Sequence, residues 1–239
     1  SFNWGSLTPQ TCYEILVRSI CPSGDTSAWV GPLQFCTPCS AFNAPYFENF
    51  DAMPTGVTPS CFTSVLVGGS SQFSTIEVTT LGAPLSPPNQ VLMDNYTNTL
   101  TMMISPLFGD MTAGDKWVTF YAKQAAAGVD ELIVGTVSSP GNPSSFSPLD
   151  TFTMSTNYTR FACNLTTANG YNGTDQYFAI EHASTGILRD IYIDDMLYSV
   201  IPSGDLSTIG GDFIKGECLS TNDSIYVDIV NTVNPIDFS

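Results

Sequence analysis

The sequence contains one histidine, His182, and this residue is the first candidate for acid–base chemistry. It ends an alternating run, residues 177–182, that is predicted to form a strand. There is no G-x-S-x-G, H-E-x-x-H or phosphate-loop motif, and no Ser-His-Asp or Cys-His arrangement can be assembled around the histidine. Catalytic sites need several convergent groups, so a lone strand histidine is more often a surface or core residue than a general base. The sequence therefore predicts no catalytic role for His182.

Carboxylate pairs are the second possible source of catalysis, because glycosidases use two placed acids. The six glutamates are scattered along the chain and do not form the E-x-D-x-E run of jelly-roll glycanases. These glutamates are Glu14, Glu48, Glu77, Glu131, Glu181 and Glu217. Scattered acids are usually solvated surface charge, so the sequence predicts that the chain is not an enzyme.

The charge balance excludes several partners. Six Lys and Arg residues face 22 Asp and Glu residues, which gives a net charge of −16. Nucleic-acid binding needs clustered cations, and anionic membrane surfaces repel an acidic chain, whereas a bound cation would relieve the repulsion among the acids. No apolar run reaches the ~20 residues that a membrane span requires, so no span is predicted. The chain begins at Ser1 without a signal peptide, and a processed or internal fragment is expected.

The seven cysteines predict structural disulfides. They are Cys12, Cys21, Cys36, Cys39, Cys61, Cys163 and Cys218. The single C-x-x-C at residues 36–39 has no histidine partner and does not open a helix, so neither a zinc site nor a redox motif is predicted. The favoured pair is Cys39 with Cys61, because this bond would tie the linker to the start of the next segment, and a pair of Cys21 with Cys36 or Cys12 is the other option. An odd count leaves at least one cysteine free or bonded outside the chain.

Apolar and polar residues alternate through most of the sequence, which predicts an all-β fold. The alanines at residues 125–127 are too few to form a helix. Strands are predicted where side chains alternate with period two, at residues 117–122, 132–137, 176–180, 191–196 and 225–230. Turns rich in Gly and Pro separate them, and many short strands with such turns indicate an antiparallel sandwich or jelly roll.

Two linkers divide the chain into three predicted segments. Residues 1–38 precede a Cys-Ser-Ala-Phe-Asn-Ala-Pro linker, residues 45–201 form the main body, and residues 205–239 follow a Pro-Ser-Gly-Asp linker. In the last segment Ile225 and Val227 lie on one face of an alternating run, which predicts the first strand of a further Ig-like domain.

The first segment contains the pattern L-x-P-x-T-x-Y, formed by Leu7, Pro9, Thr11 and Tyr13. This pattern resembles fibronectin type III domains, in which the tyrosine lies at a corner before a strand. The resemblance implies that residues 1–38 are the C-terminal strands of such a domain. It also implies that the Tyr13 hydroxyl bonds the backbone a few residues upstream.

The main body resembles the MAM-like jelly roll of cleaved adhesin domains. The resemblance depends on Pro-Tyr-Phe-Glu-Asn-Phe-Asp at residues 45–51, Ile-Ser-Pro at residues 104–106, and Ile-Tyr-Ile-Asp-Asp-Met at residues 191–196. Phe62 stands where many relatives have tryptophan. Such domains occur in secreted Bacteroidetes proteins, including the adhesin regions of gingipain-type proteases. The resemblance therefore implies a secreted surface protein that is exported by a type IX-like route.

The same resemblance implies a calcium ion, because the acids of the opening and closing motifs meet where the first and last strands are neighbours. The corresponding residues here are Glu48, Asp51, Asp194 and Asp195, and calcium prefers such hard oxygen ligands. On a regular strand the two neighbouring aspartates point to opposite faces, so only one can bind the ion unless a bulge interrupts the strand. The alternative is that these aspartates only place charge on an edge strand, which limits aggregation. Residues 94–95, Asp-Asn, are a second candidate.

Aromatic side chains could bind sugars by stacking. The candidates are Tyr96, Trp117, Tyr171 and Tyr192. Alternation places such residues in cores by default, and we expect Trp117 in the core.

These features predict a non-catalytic segment of a secreted, multidomain bacterial surface adhesin or filament, stabilised by Ca²⁺. Its expected partners are other domains of the same long chain or neighbouring subunits, together with glycans or surface proteins. A carbohydrate-binding accessory module of a secreted hydrolase or protease is the alternative function. A hydrolytic enzyme is the third hypothesis.

Overall fold

The computed structural model describes residues 5, 7–68, 71–96, 99–183, 187–202, 206–208 and 229–231. The chain divides into two compact units, Ser1–Ile201 and Pro202–Ser239, and each is described by itself. Most of the strand predicted at residues 225–230 lies outside the described residues, as do Ile225, Val227 and Cys218.

Strands account for nearly all of the regular structure. In the first unit they are β1 (Cys12–Val17), β2 (Val30–Cys36), β3 (Tyr46–Glu48), β4 (Thr63–Gly68), β5 (Thr75–Thr79), β6 (Gln90–Asn95), β7 (Thr99–Ile104), β8 (Lys116–Gln124), β9 (Glu131–Val137), β10 (Ser147–Thr153), β11 (Thr159–Leu165), β12 (Tyr177–His182) and β13 (Arg189–Val200). Short 3₁₀ turns lie at Ser71–Phe73, Met111–Ala113, Pro143–Ser145 and Thr167–Asn169. In the second unit β14 (Leu206–Thr208) pairs antiparallel with β15 (Ile229–Asn231).

Two antiparallel sheets form a sandwich in the first unit. One sheet has the strand order β10-β9-β12-β7-β4. The other has the order β11-β8-β13-β6-β5, and β3 also pairs with β13. The predicted all-β, antiparallel sandwich is confirmed.

The period of two along each strand determines which side chains enter the core. On β8, Val118, Phe120 and Ala122 are fully buried between the sheets. Trp117 and Tyr121 lie on the outer face and are partly exposed, whereas Thr119 on the same face is buried. The expectation that Trp117 lies in the core is therefore wrong, because its neighbour Val118 occupies the inward position.

A cluster of aromatic rings fills one end of the core. The Phe108 ring is fully buried and stacks on Tyr198 with 3.9 Å between ring centroids. Phe178 also stacks on Phe108, at 5.7 Å, and lies 6.4 Å from Tyr198, while Tyr46 meets the Phe108 ring edge-on at 5.5 Å. This cluster joins β3, β12 and β13, so it positions the opening and closing motifs of the main body.

Asp110 connects three parts of the sandwich at the same end. Its Oδ1 accepts a hydrogen bond from the Tyr198 hydroxyl at 2.9 Å, and its Oδ2 accepts one from the Ala44 backbone N–H at 3.0 Å. The ammonium of Lys116, a residue that is 4% exposed, lies 3.6 Å from Oδ2 and also contacts the exposed carboxylate of Asp115. Sequence patterns gave no sign of this role for Asp110.

The first two strands form a small separate sheet. As the fibronectin type III resemblance implied, the Tyr13 hydroxyl bonds the backbone upstream, accepting from the Thr8 N–H at 2.8 Å. The Tyr13 and Phe35 rings stack across the hairpin at 5.7 Å. Trp29 is 58% exposed on the same hairpin. Among the described residues, this sheet contains β1 and β2 alone.

Two disulfides occur among the described residues. Cys39 and Cys61 are bonded, with Cα atoms 5.8 Å apart, and this bond ties the linker to the turn before β4. Cys12 and Cys36 are bonded across β1 and β2. Neither of the pairings considered for Cys21 is formed, because Cys12 and Cys36 bond to each other directly across the hairpin.

Candidate metal centre at the bulge of β13

The strand β13 is interrupted where its two neighbouring aspartates lie. Its pairing with β8 shifts register between Asp194 and Leu197, and Asp195 has a φ of +47°. Asp194 is fully buried and Asp195 is 6% exposed. A β-bulge re-aims side chains, so the opposite-face rule for a regular strand does not apply here.

Both carboxylates meet at Ser86. The Ser86 N–H donates to Asp194 Oδ2 at 2.9 Å, and its Oγ lies 3.1 Å from Asp194 Oδ1 and 2.8 Å from Asp195 Oδ1. The Asp195 N–H also donates to Asp194 Oδ1 at 2.8 Å. One hydroxyl proton serves one acceptor at a time. Ser86 is 108 residues from Asp194 in sequence, and no local pattern indicates this contact.

Glu48 lies on the neighbouring strand β3, opposite Met196. Its Oε1 accepts from the Phe50 N–H at 2.8 Å, and its Oε2 accepts from the Tyr46 hydroxyl at 3.2 Å. Burial raises the pKa of Tyr46, and the Glu48 charge raises it further, so the phenol remains a donor at neutral pH. Glu48 therefore lies on the strand next to the bulged strand, and its carboxylate bonds within β3 and the turn that follows it.

Asp51 lies in the turn after β3 and is tied to the loop that precedes β6. Its Oδ1 accepts from the Asn89 N–H at 3.0 Å, and its Oδ2 accepts from the Asn49 amide at 2.6 Å. The Asn89 amide donates to the carbonyl oxygens of Phe50, Asp51 and Met53 at 3.0–3.2 Å. Asn89 was not predicted, and it fixes the turn in which Phe50 adopts a φ of +62°.

The fit of these residues to calcium can be judged from their atoms. Asp194, Asp195 and Ser86 bring hard oxygens together in a buried position, which is the ligand chemistry of calcium. Glu48 and Asp51 hydrogen-bond to other groups. Within the described ranges, no three His, Cys, Asp or Glu side chains form a group that could hold a metal ion by themselves. A calcium ion here would therefore need hydroxyl, backbone carbonyl or water oxygens in addition to the two aspartates.

Asp94 and Asn95, the second candidate pair, point to opposite faces of β6. The Asn95 amide donates inward to the His182 carbonyl oxygen at 3.1 Å. Asp94 lies on the outer face, directly opposite Asp190 of β13. Burial raises the pKa of Asp94 to about 6, and the charge and hydrogen bond of Asp190 and the charge of Glu77 add to that effect. Asp94 and Asp190 therefore form a carboxyl pair that shares a proton in mild acid.

Asp94→Asn is expected to stabilise the protein at pH 7.5 and to have little effect at pH 4.5. The folded pKa of Asp94 is raised, so the stability that its proton confers is present at low pH and is lost as pH rises from about 4 through about 6. The gain at pH 7.5 should be about 1 kcal/mol, discounted for partial exposure, or about 2–4 °C in melting temperature. Because wild type and variant are compared at the same pH, the effects of the other titrating groups cancel. Asp190→Asn should also stabilise the protein at pH 7.5. If either variant were less stable than wild type at pH 7.5, the two carboxyl groups would not share a proton as described.

His182 is a core residue with 2% exposure. Burial lowers its pKa to about 4, so the ring is neutral at pH 7. Its Nε2 lies 3.0 Å from the Arg189 carbonyl oxygen, which can only accept, so the proton is on Nε2. The imidazole helps to fix the start of β13.

The aromatic candidates for sugar stacking have different environments. Tyr171 is 3% exposed and Tyr192 is 8% exposed. The loop before β6 lies on the Tyr192 ring so closely that a Cβ at Gly82, which has a φ of +80°, would be 2.5 Å from the ring. Tyr96 packs against Phe73 with 5.1 Å between centroids. Trp117 lies on an open sheet face.

Comparison with solved structures finds the same sandwich in the cleaved adhesin domains of Lys-gingipain. The K2 domain superposes with a TM-score of 0.52 at 16% identity, over 66% of this chain and 98% of the domain. The fold is that of a cleaved adhesin domain. The K1 domain from Porphyromonas gingivalis W83 gives 0.52 at 15% identity, over 66% of this chain and 99% of the domain. The K3 domain gives 0.50 at 15% identity, over 64% and 96%.

The sequence comparisons give no further assignment. No family model matches the sequence, and no curated protein matches it. Among the described residues, no helix is long and apolar enough to cross a membrane.

Proposed function

We propose that the chain is a non-catalytic binding segment of a secreted, multidomain bacterial surface adhesin or filament. The observation that carries the proposal is the sandwich fold, which matches nearly the full length of cleaved adhesin domains. The Cys12–Cys36 and Cys39–Cys61 disulfides support an oxidising, extracellular location. Other domains of the same long chain or neighbouring subunits, glycans and surface proteins are the proposed partners.

The second part of the proposal is a stabilising calcium ion at the bulge of β13. Asp194 and Asp195 would hold it, with Ser86 beside them and with Glu48 and Asp51 on the adjoining strand and turn. When bound, the ion would neutralise buried carboxylates that adjoin one another in a chain with a net charge of −16. It would also tie β13 to the loop before β6. Two buried acids at one hydroxyl are the support for this site.

Calcium is expected to raise the melting temperature, and EDTA is expected to lower it again. Ligand binding to the folded state alone contributes about 2–3 kcal/mol when calcium exceeds its Kd by about 100-fold. That corresponds to about 5–10 °C for a unit of this size. Differential scanning calorimetry with calcium, with magnesium and with EDTA measures the effect.

Variants show whether the effect arises at the bulge. Asp194→Asn and Asp195→Asn should remove most of the calcium response, whereas Asp25→Asn on the exposed hairpin should retain all of it. A wild-type melting temperature that is equal in calcium and EDTA would end the calcium proposal. If both bulge variants kept the full calcium response, the ion would bind elsewhere in the protein.

A carbohydrate-binding accessory module of a secreted hydrolase or protease is the second candidate function. The partly exposed Trp117 on an open sheet face favours it, because aromatic rings stack on sugars. Retention of the protein on polysaccharides would be common to both functions. A catalytic domain encoded in the same gene would favour the accessory module, and many similar modules would favour the adhesin.

A further inference from the structure

The outer face of the six-stranded sheet is open where β3, β13, β8 and β11 lie side by side. Six residues form this surface, here called the outer platform. They are Phe47, Trp117, Thr119, Tyr121, Arg160 and Leu197. Leu197 of β13 lies between two partners, Phe47 of β3 on one side and Thr119 of β8 on the other. Directly opposed residues of antiparallel strands share a face, so all six side chains point away from the core.

Three aromatic side chains lie on the outer platform. Phe47 is 57% exposed, and Trp117 and Tyr121 are partly exposed. Trp117 and Tyr121 are four positions apart on an extended strand, a distance of about 13 Å. Midway between them is Thr119, which is 2% exposed and lies opposite the small Ala162 on β11. This spacing gives a shallow surface longer than one sugar ring, with an aromatic ring at each end.

A hydrogen bond and a nearby cation hold the Trp117 ring in place. The Trp117 indole N–H donates to Ser199 Oγ at 2.6 Å, which fixes the ring along the sheet. The Arg160 guanidinium lies 5.6 Å from the centroid of that ring and donates to Thr119 Oγ1 at 3.3 Å. Arg160 is exposed, so its remaining N–H groups are available to a ligand. A fixed ring with nearby donors matches the surface chemistry of a sugar, which has apolar C–H faces and hydroxyl edges.

The charges favour a neutral ligand. Arg160 is the one charged residue of the six, whereas the chain as a whole has a net charge of −16. That field repels polyanionic glycans, and it repels a second copy of the same chain. A basic protein would be attracted by the chain as a whole but would meet Arg160 at this surface. A neutral oligosaccharide meets neither penalty.

The loop before β6 limits the platform at the Tyr121 end. This loop covers Tyr192 at Gly82 and contacts Asp194 at Ser86. Asp194 is directly opposite Tyr121 in the pairing of β13 with β8. The open surface therefore runs from Tyr121 towards Trp117 and Phe47.

We propose that the outer platform binds a neutral glycan, with its sugar rings stacked on Trp117 and Tyr121 and hydroxyls bonded to Arg160. This inference rests on the proposed function, in which the segment makes extracellular contacts, and it names the class of ligand. It assigns the glycan to a sheet face and not to the metal centre.

Native gel electrophoresis of the full chain through polysaccharides tests the proposal. The probes are xyloglucan, galactomannan and mannan as neutral polymers and polygalacturonate as the anionic one, with calcium present throughout. At least one neutral polymer should retard the protein, and polygalacturonate should not. Trp117→Ala and Tyr121→Ala should each weaken that retardation roughly tenfold through loss of a stacking ring.

Matched variants separate binding from folding. Trp29→Ala removes a tryptophan that is 58% exposed on the hairpin and should bind like wild type. Trp117→Phe keeps an aromatic face and should retain most of the affinity even if Trp117→Ala folds poorly.

Two results would overturn the glycan proposal. The first is no retardation by any neutral polymer, and the second is an equal loss in Trp29→Ala and Trp117→Ala. If the first result came with self-association that Trp117→Ala abolishes, the platform would be a protein interface. Because calcium is present throughout, failure of the EDTA melting test would leave the gel result unaffected.

Discussion

Asp130→Ala is expected to lower the free energy of unfolding of the first unit by about 3 kcal/mol, because it leaves a largely buried cation without its partner. Asp130 is 1% exposed and accepts from Arg189 through both oxygens, at 2.7 Å from Nε and 2.6 Å from Nη2. Such a forked pair joins the β8–β9 loop to the first residue of β13. The loss should lower the melting temperature by about 6–12 °C.

The control for this variant is Asp115→Ala, which removes an exposed acid from Lys116 while Asp110 remains. Its effect should be much smaller than that of Asp130→Ala, because exposed ion pairs contribute little to stability. Adding Arg189→Met to Asp130→Ala should recover part of the loss, because no buried charge then lacks a partner. A melting temperature of Asp130→Ala within about 2 °C of wild type would contradict the importance of the pair.

Phe108→Ala is expected to lower the free energy of unfolding by about 4 kcal/mol, since it removes a fully buried ring and leaves a cavity. The ring contacts Tyr198, Phe178 and Tyr46, so the loss affects three strands at once. We expect the urea midpoint to fall and the melting temperature to drop by about 8–16 °C.

Phe73→Ala is the matched control for the core variant, because that ring is 57% exposed and packs mainly on Tyr96. Phe73→Ala should lower the free energy of unfolding by only a small fraction of the loss caused by Phe108→Ala. Equal costs for the two phenylalanines would show that the aromatic cluster does not dominate the stability of this end of the sandwich.

Local patterns in the sequence were enough to predict the fold class. The alternation at residues 117–122 predicted a strand, and β8 extends from Lys116 to Gln124. The strand predicted at residues 191–196 lies within β13, which is longer because its ends continue to pair with β6 and β8. A side-chain period of two belongs to the backbone geometry of each strand, so it can be recognised without knowledge of its partners.

The direction of Trp117 shows where local patterns fail. Trp117, Val118, Phe120 and Ala122 are all apolar, so the alternating set that faces the core was ambiguous in this run. The pairing of β8 with β11 and β13 decides the outcome and sends the tryptophan outwards. Register between strands depends on contacts far apart in sequence.

The metal centre shows the same division between sequence and structure. The sequence, through the family resemblance, indicated Glu48, Asp51, Asp194 and Asp195, and calcium binding by them stays a prediction. Only the tertiary structure revealed the bulge at Asp195 and the contact of both aspartates with Ser86. A positive φ at a non-glycine residue has no sequence signature of its own, because the surrounding packing imposes it.

By itself, then, the sequence determined that this protein is an acidic, all-β chain with cysteines placed for cross-links, since charge, period and residue type are local properties. The tertiary structure decided which groups meet. It paired Asp94 with Asp190, placed Asp110 among Tyr198, Ala44 and Lys116, and opened the outer platform. Apart from the contact of Asp110 with Lys116, these contacts join residues tens of positions apart, and they follow from how two sheets pack and in which register their strands align.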